Sequence, residues 1–465
     1  MADGVPDGIA GGTSRSGNAY NLTNGTIIKK LLTLAVPIIA SNLMQMAYNL
    51  TDMFWLARLG PNAVAASGAA GMYMWLSMGF LLIGRMGTEI GVSQSLGRGD
   101  KKTALGYFQN SLALALVTGF LFGAFLLIFR RPCIGFFRFR EEQVTRDAVA
   151  YLSIVAAFMP VNFAMAVLGG AFTAAGNSRT PFIVMAIGIA ANVVLDPLFI
   201  QVLGLGVAGA AMATVISQSL VLASVLVGYF CLGVKPFPGF RMFGPVEKSK
   251  ITQILKWAMP IALENIFFCF LSMVTSRIET AFGASAVAVS RIGSQLESLS
   301  WLIGAGFGSS LVVFIGQNYG AGREDRIREV IRISALVLSL WGLFVTAFIW
   351  FGGPFVFALF FPDRELLGLG TKYLHILAFC QLSMNVEAVG SGAFKGIGKT
   401  IPPSVVIIGT NVLKPLFAWA LSRTSLGLYG VWIGVVISAN LRGICMNLWY
   451  AAENRRRKSN QVSPA

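Results

Sequence analysis

Apolar runs of the length needed to cross a hydrocarbon layer, roughly 20 residues each, recur from Ile27 to Tyr450 with only short polar joints between them. No other feature constrains the fold as strongly, because in lipid every backbone N–H and C=O must be satisfied within the chain's own helices or a closed barrel. The 465 residues are 55% hydrophobic and only 12% charged, against the roughly 25% charged residues of an ordinary soluble domain. An all-α integral membrane protein follows, with little chain left for a soluble domain.

Taking apolar runs between polar joints gives helices near 30–57, 63–95, 103–130, 145–172, 181–200 and 207–233. After a Pro- and Lys-bearing stretch from Lys235 to Lys250, a second set follows near 251–281, 287–318, 328–358, 367–394, 402–421 and 427–451. Pro37 falls on Pro260, an offset of 223 residues that also matches Asn42 with Asn265 and Gly60 with Gly283. The same register pairs Gln94, Gly97 and Gly99 with Gln317, Gly320 and Gly322. Further on, AFTAAGNSRTP at 171–181 answers AFKGIGKTIP at 393–402, and NVVLDPLF answers NVLKPLF. The expectation is 12 transmembrane helices in two pseudo-symmetric six-helix lobes. Six is even, so both units enter the membrane from the same side as parallel repeats, with the cavity between them. The expected organisation is a disordered cytoplasmic tail at 1–26, an N-lobe at 27–233, a cytoplasmic linker at 234–250, a C-lobe at 251–451 and a basic cytoplasmic tail at 452–465.

The net charge of +16 would suit a nucleic-acid binder, but Lys and Arg are mostly confined to the joints. Positively charged cytoplasmic loops explain it better and put both termini in the cytoplasm. The exception is the outer joint Arg130 to Arg146, which carries Arg130, Arg131, Arg138 and Arg140. The first 26 residues lack the basic-then-apolar order of a cleavable signal. Five cysteines, at 133, 231, 269, 380 and 445, show no metal-ligand spacing and read as packed, inert thiols. The sole histidine, His375, cannot by itself supply a metal site or a catalytic dyad. AFKGIGKT at 393–400 imitates a phosphate-cradling loop, but Ala393 stands where that loop needs Gly and no strand precedes it. No nucleotide, nucleic acid, cofactor or enzymatic activity is expected.

Ionisable groups within the apolar spans carry the functional information, since each costs at least about 2.5–3.5 kcal/mol at mid-helix and seldom faces lipid. Asp52 shares one helix face with Gln45 and Tyr48, at spacing i, i+3, i+7. Asn192 and Asp196 form an i, i+4 pair followed at once by Pro197, which frees backbone carbonyls. Thr214 adds a hydroxyl on the next helix. The second-half counterparts are Thr275, Asn411, Lys414 and Val435, so both acids are confined to the first lobe. Glu264 and Glu387 are intramembrane carboxylates with no obvious neighbouring cation, able to meet a cationic substrate or a proton. Arg85 and Glu89 are spaced as a mutual ion pair. Lys414 is a fixed cation that opposes positively charged cargo unless it is paired or lies outside the cavity.

On the YNLTDMFWLARLG segment, NVVLDP, the AAGNSRTP joint and the duplicated six-helix lobes, the chain resembles the multidrug and toxic compound extrusion (MATE) transporters, within the superfamily that includes oligosaccharide-lipid flippases. The resemblance covers nearly the whole chain and is to the prokaryotic branch with its acid site in the first lobe. It implies a cation-coupling site for H⁺ or Na⁺ at Asp52, Asn192, Asp196 and Thr214, and a switching hinge at Pro37. A second branch uses acids on helices seven and ten, from which Glu264 and Glu387 are displaced. The implied function is secondary active export of amphipathic or cationic small molecules across the plasma (inner) membrane by alternating access, with Gln45, Tyr48, Glu264 and Glu387 as candidate cargo contacts. The alternative is a flippase for lipid-linked oligosaccharides or lipids, whose diphosphate cargo calls for cationic residues in the cavity.

Overall fold

The computed structural model describes residues 21–139, 141–360 and 364–462. Arg140, in the outer joint, and the first 20 residues of the expected tail lie outside them. The described chain is helical. The N-lobe holds α1 (Ile27–Arg58), α2 (Pro61–Gly97), α3 (Lys101–Ile128), the short α4 (Arg130–Gly135), α5 (Glu142–Ala157), α6 (Met159–Ala174), α7 (Arg179–Pro197) and α8 (Gly206–Phe230). The C-lobe holds α9 (Lys248–Thr280), α10 (Ala284–Gly320), α11 (Glu324–Ala347), α12 (Gly353–Phe360), α13 (Arg364–Gly396), α14 (Ile401–Ser422) and α15 (Leu428–Val462).

Ten helices are long and apolar enough to span a membrane, and an eleventh span is made by α5 and α6 together. That pair bends by 48° at Phe158, where Pro160 can neither donate nor continue the preceding turn. The hydropathy run had read as one straight helix through the break. The twelfth expected helix is α13, whose 33 residues include Lys372, Glu387 and Lys395; it packs among α10, α11 and α15 inside the C-lobe. Helix starts follow local chemistry. Asp100 accepts a hydrogen bond from the Thr103 N–H at 2.9 Å, capping α3, and the Thr103 hydroxyl and N–H hold its carboxyl below the ordinary carboxylate value.

The lobes exchange the first halves of their proline-bearing helices. Leu31, Leu34, Ala35 and Ile38 of α1 are buried in one cluster with Phe307, Leu311 and Phe314 of α10, whereas Leu56, further along α1, belongs to the N-lobe core. Reciprocally, Ala258, Ile261 and Ala262 of α9 pack with Ile83 and Met86 of α2. Pro37 and Pro260 lie within continuous helices, close to where each changes lobes.

On the face where the first and last described residues lie, the lobes are clasped by a pseudo-two-fold pair of contacts. The Gln94 side chain donates to the Gly396 carbonyl at 2.9 Å, and Gln317 donates to the Ala174 carbonyl at 2.8 Å. Gln94 matches Gln317 and Ala174 matches Gly396 in the repeat, so one bond is the image of the other. Gly97 lies against the Gln317 backbone and Gly320 against that of Gln94, with no room for a Cβ at either. Leu22 joins this contact, donating its N–H to Gln317 Oε1 at 3.1 Å with its side chain 2% exposed. Residues 21–26 are thus anchored on the lobe interface rather than part of a free tail. At the other terminus α15 continues to Val462, and Arg457 pairs with Glu324.

Candidate functional site

In the N-lobe, α1, α7 and α8 bring five of the expected residues together. The Tyr48 hydroxyl donates to Thr214 Oγ1 at 2.9 Å. Asn192 Nδ2 donates to Asp196 Oδ1 at 3.0 Å, as the i, i+4 spacing predicts. Asn192 and Asp196 are fully buried and Thr214 is 9% exposed. Asp52 and Asp196 lie within electrostatic range of each other. A π-helical stretch, Leu198–Val202, directly follows Pro197, placing the expected break beside Asp196. Tyr151 of α5, which the sequence reading did not single out, sits beside Tyr48, Asp52 and Asp196 with its hydroxyl toward Thr214.

The decisive feature is what these groups lack. Asp52 Oδ1, Asn192 Oδ1 and Asp196 Oδ2 are buried acceptors without a hydrogen-bond donor, and neither acid has an ion-pair partner among the described residues. Leaving such an oxygen unpaired costs about 1–3 kcal/mol, more when it is charged. A proton on a carboxyl or a hard cation among the oxygens would remove that cost. The donor set fits either. Gln45 does not join the cluster: it is exposed and donates to Asn49 at 3.3 Å.

The C-lobe corrects the expectation that Glu264 and Glu387 have no neighbouring cation. Glu387 Oε2 accepts from Arg442 Nε at 2.6 Å, and Glu264 lies 3.5 Å from Lys395 Nζ, with Ser404 donating to its other oxygen at 3.2 Å. Both carboxylates line a cavity of about 310 Å³ that also meets Leu82 and Met86 of α2, and so lies at the lobe boundary. Arg85 pairs with Glu89 at 2.8 Å as the spacing indicates. Glu279 accepts from Ser290 at 2.6 Å and from the Trp432 indole at 2.9 Å. His375 stacks on Trp350 at 4.1 Å between ring centroids. All five cysteines are free thiols, but Cys231 and Cys445 are exposed rather than packed. Among the described residues no group of three or more His, Cys, Asp or Glu could hold a metal ion.

A sequence profile of the MatE family matches residues 37–198 and 260–420, two blocks that begin on the paired prolines. The "Probable multidrug resistance protein NorM" of Thermotoga maritima is 27% identical over 91% of this chain and 92% of its own length. The "Probable multidrug resistance protein YpnP" of Bacillus subtilis is 25% identical over 90% and 91%, and an "FAD transporter" of Shewanella oneidensis is 25% identical over 91% and 94%. A crystal structure described as "MATE in the bent conformation" superposes with a TM-score of 0.89 at 24% identity, covering 96% of this chain and 99% of that one. The flippase alternative is not favoured by these relatives. With the duplicated profile, the two-lobed helical fold and the relatives in agreement, the chain belongs to the MatE family, that of the multidrug and toxic compound extrusion (MATE) transporters.

Proposed function

We propose that this multi-pass membrane protein is a secondary active antiporter of the plasma (inner) membrane. It exports amphipathic or cationic small molecules in exchange for H⁺ or Na⁺ by alternating access. The observation that carries the reading is the set of three unpartnered buried oxygens on Asp52, Asn192 and Asp196, beside the Tyr48–Thr214 bond and with no fixed cation to neutralise them. A cation entering from outside neutralises the acids and relieves their desolvation, and it thereby favours one lobe arrangement over the other. Coupling requires only that cation and cargo prefer opposite arrangements.

With both termini cytoplasmic, as the basic joints Arg98–Lys102 and Arg323–Arg328 support, the clasp of Gln94 and Gln317 closes the inner side and the lobes face outward. Pro37 serves as the hinge between the C-lobe half of α1 and the half that carries Tyr48 and Asp52.

The test is ion-gradient-driven export of a fluorescent cation from proteoliposomes at matched protein levels. Asp52→Asn and Asp196→Asn each abolish coupling while preserving insertion, and Thr214→Ala does less damage because it removes one neutral oxygen. Robust coupled export by the Asp52→Asn, Asp196→Asn double variant would sink the first-lobe mechanism. Imposing a pH gradient and a Na⁺ gradient separately identifies the ion.

A further inference from the structure

The N-lobe mechanism leaves unused a set of charges in the C-lobe. Glu297 of α10 and Lys414 of α14 are deep in the molecule yet only half-buried. They are near enough to act on one another electrostatically, but among the described residues neither makes a hydrogen bond or an ion pair. Among the described residues the Lys414 ammonium meets the face of Phe268, 5.8 Å from the ring centroid. Phe268 in turn meets Trp75 of α2 edge-on at 6.5 Å, so Lys414 points toward the boundary between the lobes.

Glu297 lies on α10, the helix that lines one side of the cavity already described. Ser300, Trp301 and Gly304, which line that cavity, recur at i+3, i+4 and i+7 from Glu297 and share its helix face. Arg442 lies within electrostatic reach of both Glu297 and Lys414, and it holds Glu387 through Nε alone. Asn385, 2% exposed, leaves its Oδ1 without a donor beside the same cavity. The boundary between the lobes thus presents carboxylates and cations together, with apolar surface from Trp301 and Ile261 of the C-lobe and Met86 of the N-lobe.

Two opposite charges near enough to act on one another but not joined in an ion pair, in a site of low dielectric, are complementary to a molecule that brings both charges itself. A purely cationic ligand leaves Lys414 unsatisfied and repelled, and a purely anionic ligand does the same to Glu297. We propose that the C-lobe cleft is a cargo-binding site for amphipathic zwitterions, with the ligand's ammonium at Glu297 and Glu387 and its carboxylate or phosphate at Lys414 and Arg442. This deepens, and rests on, the export reading above: the N-lobe takes the ion and the C-lobe takes the cargo.

Three fluorescent probes of nearly identical shape test it. Nε-dansyl-lysine is a zwitterion, dansyl-cadaverine lacks its carboxylate, and dansyl-aminohexanoic acid lacks its α-amino group. Binding to the full chain in nanodiscs is read from dansyl emission, with no ion gradient. The zwitterion is expected to bind roughly tenfold tighter than either analogue, as one charge-assisted contact is worth about 1.5–3 kcal/mol. Lys414→Met should abolish the preference over dansyl-cadaverine, Glu297→Gln the preference over dansyl-aminohexanoic acid, and Lys414→Arg should keep both. Equal binding of the three probes by the unmodified protein overturns the proposal whatever the variants do, as does an unchanged order in a folded Lys414→Met. Because binding is read at equilibrium, coupled export that survives in the Asp52→Asn, Asp196→Asn double variant would strike the export reading while leaving this result to stand or fall by itself.

Discussion

Substituting Gly97 by Ala should open the clasped face, and the geometry sets the size of the effect. A Cβ on Gly97 would lie 2.8 Å from the Gln317 carbonyl carbon, closer still to its oxygen, and 2.9 Å from its Cα. The obstructing atoms are backbone in the last turn of a helix, so no side chain can swing away. Relief requires the ends of α2 and α10 to separate. Overpacking of this kind costs about 1–3 kcal/mol, a bias of roughly 5- to 150-fold against the clasped arrangement. Ser93 is fully buried at the same contact, beside Gly316, so a cysteine in its place in a Cys-free background reports opening. Its rate of modification by an impermeant maleimide should rise at least fivefold in Gly97→Ala and again in Gly320→Ala. It should not rise in Gly71→Ala, where a Cβ on the same helix meets nothing within 4 Å. An unchanged rate in a folded Gly97→Ala protein would refute the clasp as the closed gate.

Three further outcomes are expected. Single cysteines replacing Asp100 and Arg323 should be labelled only from the cytoplasmic side of intact cells; labelling from outside reverses the orientation. Glu387→Gln strands the Arg442 guanidinium in a half-dry site and should cost on the order of 3 kcal/mol of stability. The thermal midpoint in detergent should fall accordingly and recover when Arg442→Met is added, and no shift would mean the pair is solvated. Pro37→Ala should restore the missing backbone hydrogen bond, stiffen α1 and slow export at unchanged probe affinity; normal turnover would remove Pro37 from the switching step.

The repeat, the lobes and most of the first-lobe site were legible because they rest on local spacing. Asn192 and Asp196 sit one turn apart, so any helix brings them together, and the offset from Pro37 to Pro260 survives through Gly322. The C-lobe pairs were not legible because their partners are remote: Arg442 reaches Glu387 across 55 residues of chain, and nothing local announces it. Glu297 escaped notice for a different reason. It lies in RIGSQLESLSWL, where neighbouring polar residues make an intramembrane carboxylate look like the end of a joint. Tyr151 passed as one more apolar-helix aromatic, since only the fold sets its hydroxyl beside Thr214. Leu22 shows the converse limit. A polar, Gly-rich stretch reads as unstructured until a glutamine from a distant helix offers its N–H a partner.

The crossing of α1 gives the asymmetry between the lobes a mechanical meaning. Asp52 sits in the half of α1 that runs with the N-lobe, while Leu31, Leu34 and Ile38 fix the other half in a cluster with α10. In the proposed cycle, neutralising Asp52 changes the preferred surroundings at one end of a rod whose other end is held by the opposite lobe. The resulting bias is applied across Pro37, where the helix lacks a hydrogen bond and bends most cheaply. The counterpart helix, α9, makes the same crossing about Pro260 but carries Thr275 where α1 carries Asp52. It can follow the motion without sensing the ion. An acid duplicated in both lobes would apply the same bias to both crossings, and a single cation would then satisfy only half of it. In that cycle, confining the coupling acids Asp52 and Asp196 to one lobe lets one binding event select one arrangement, leaving the other lobe to read the charge of the cargo.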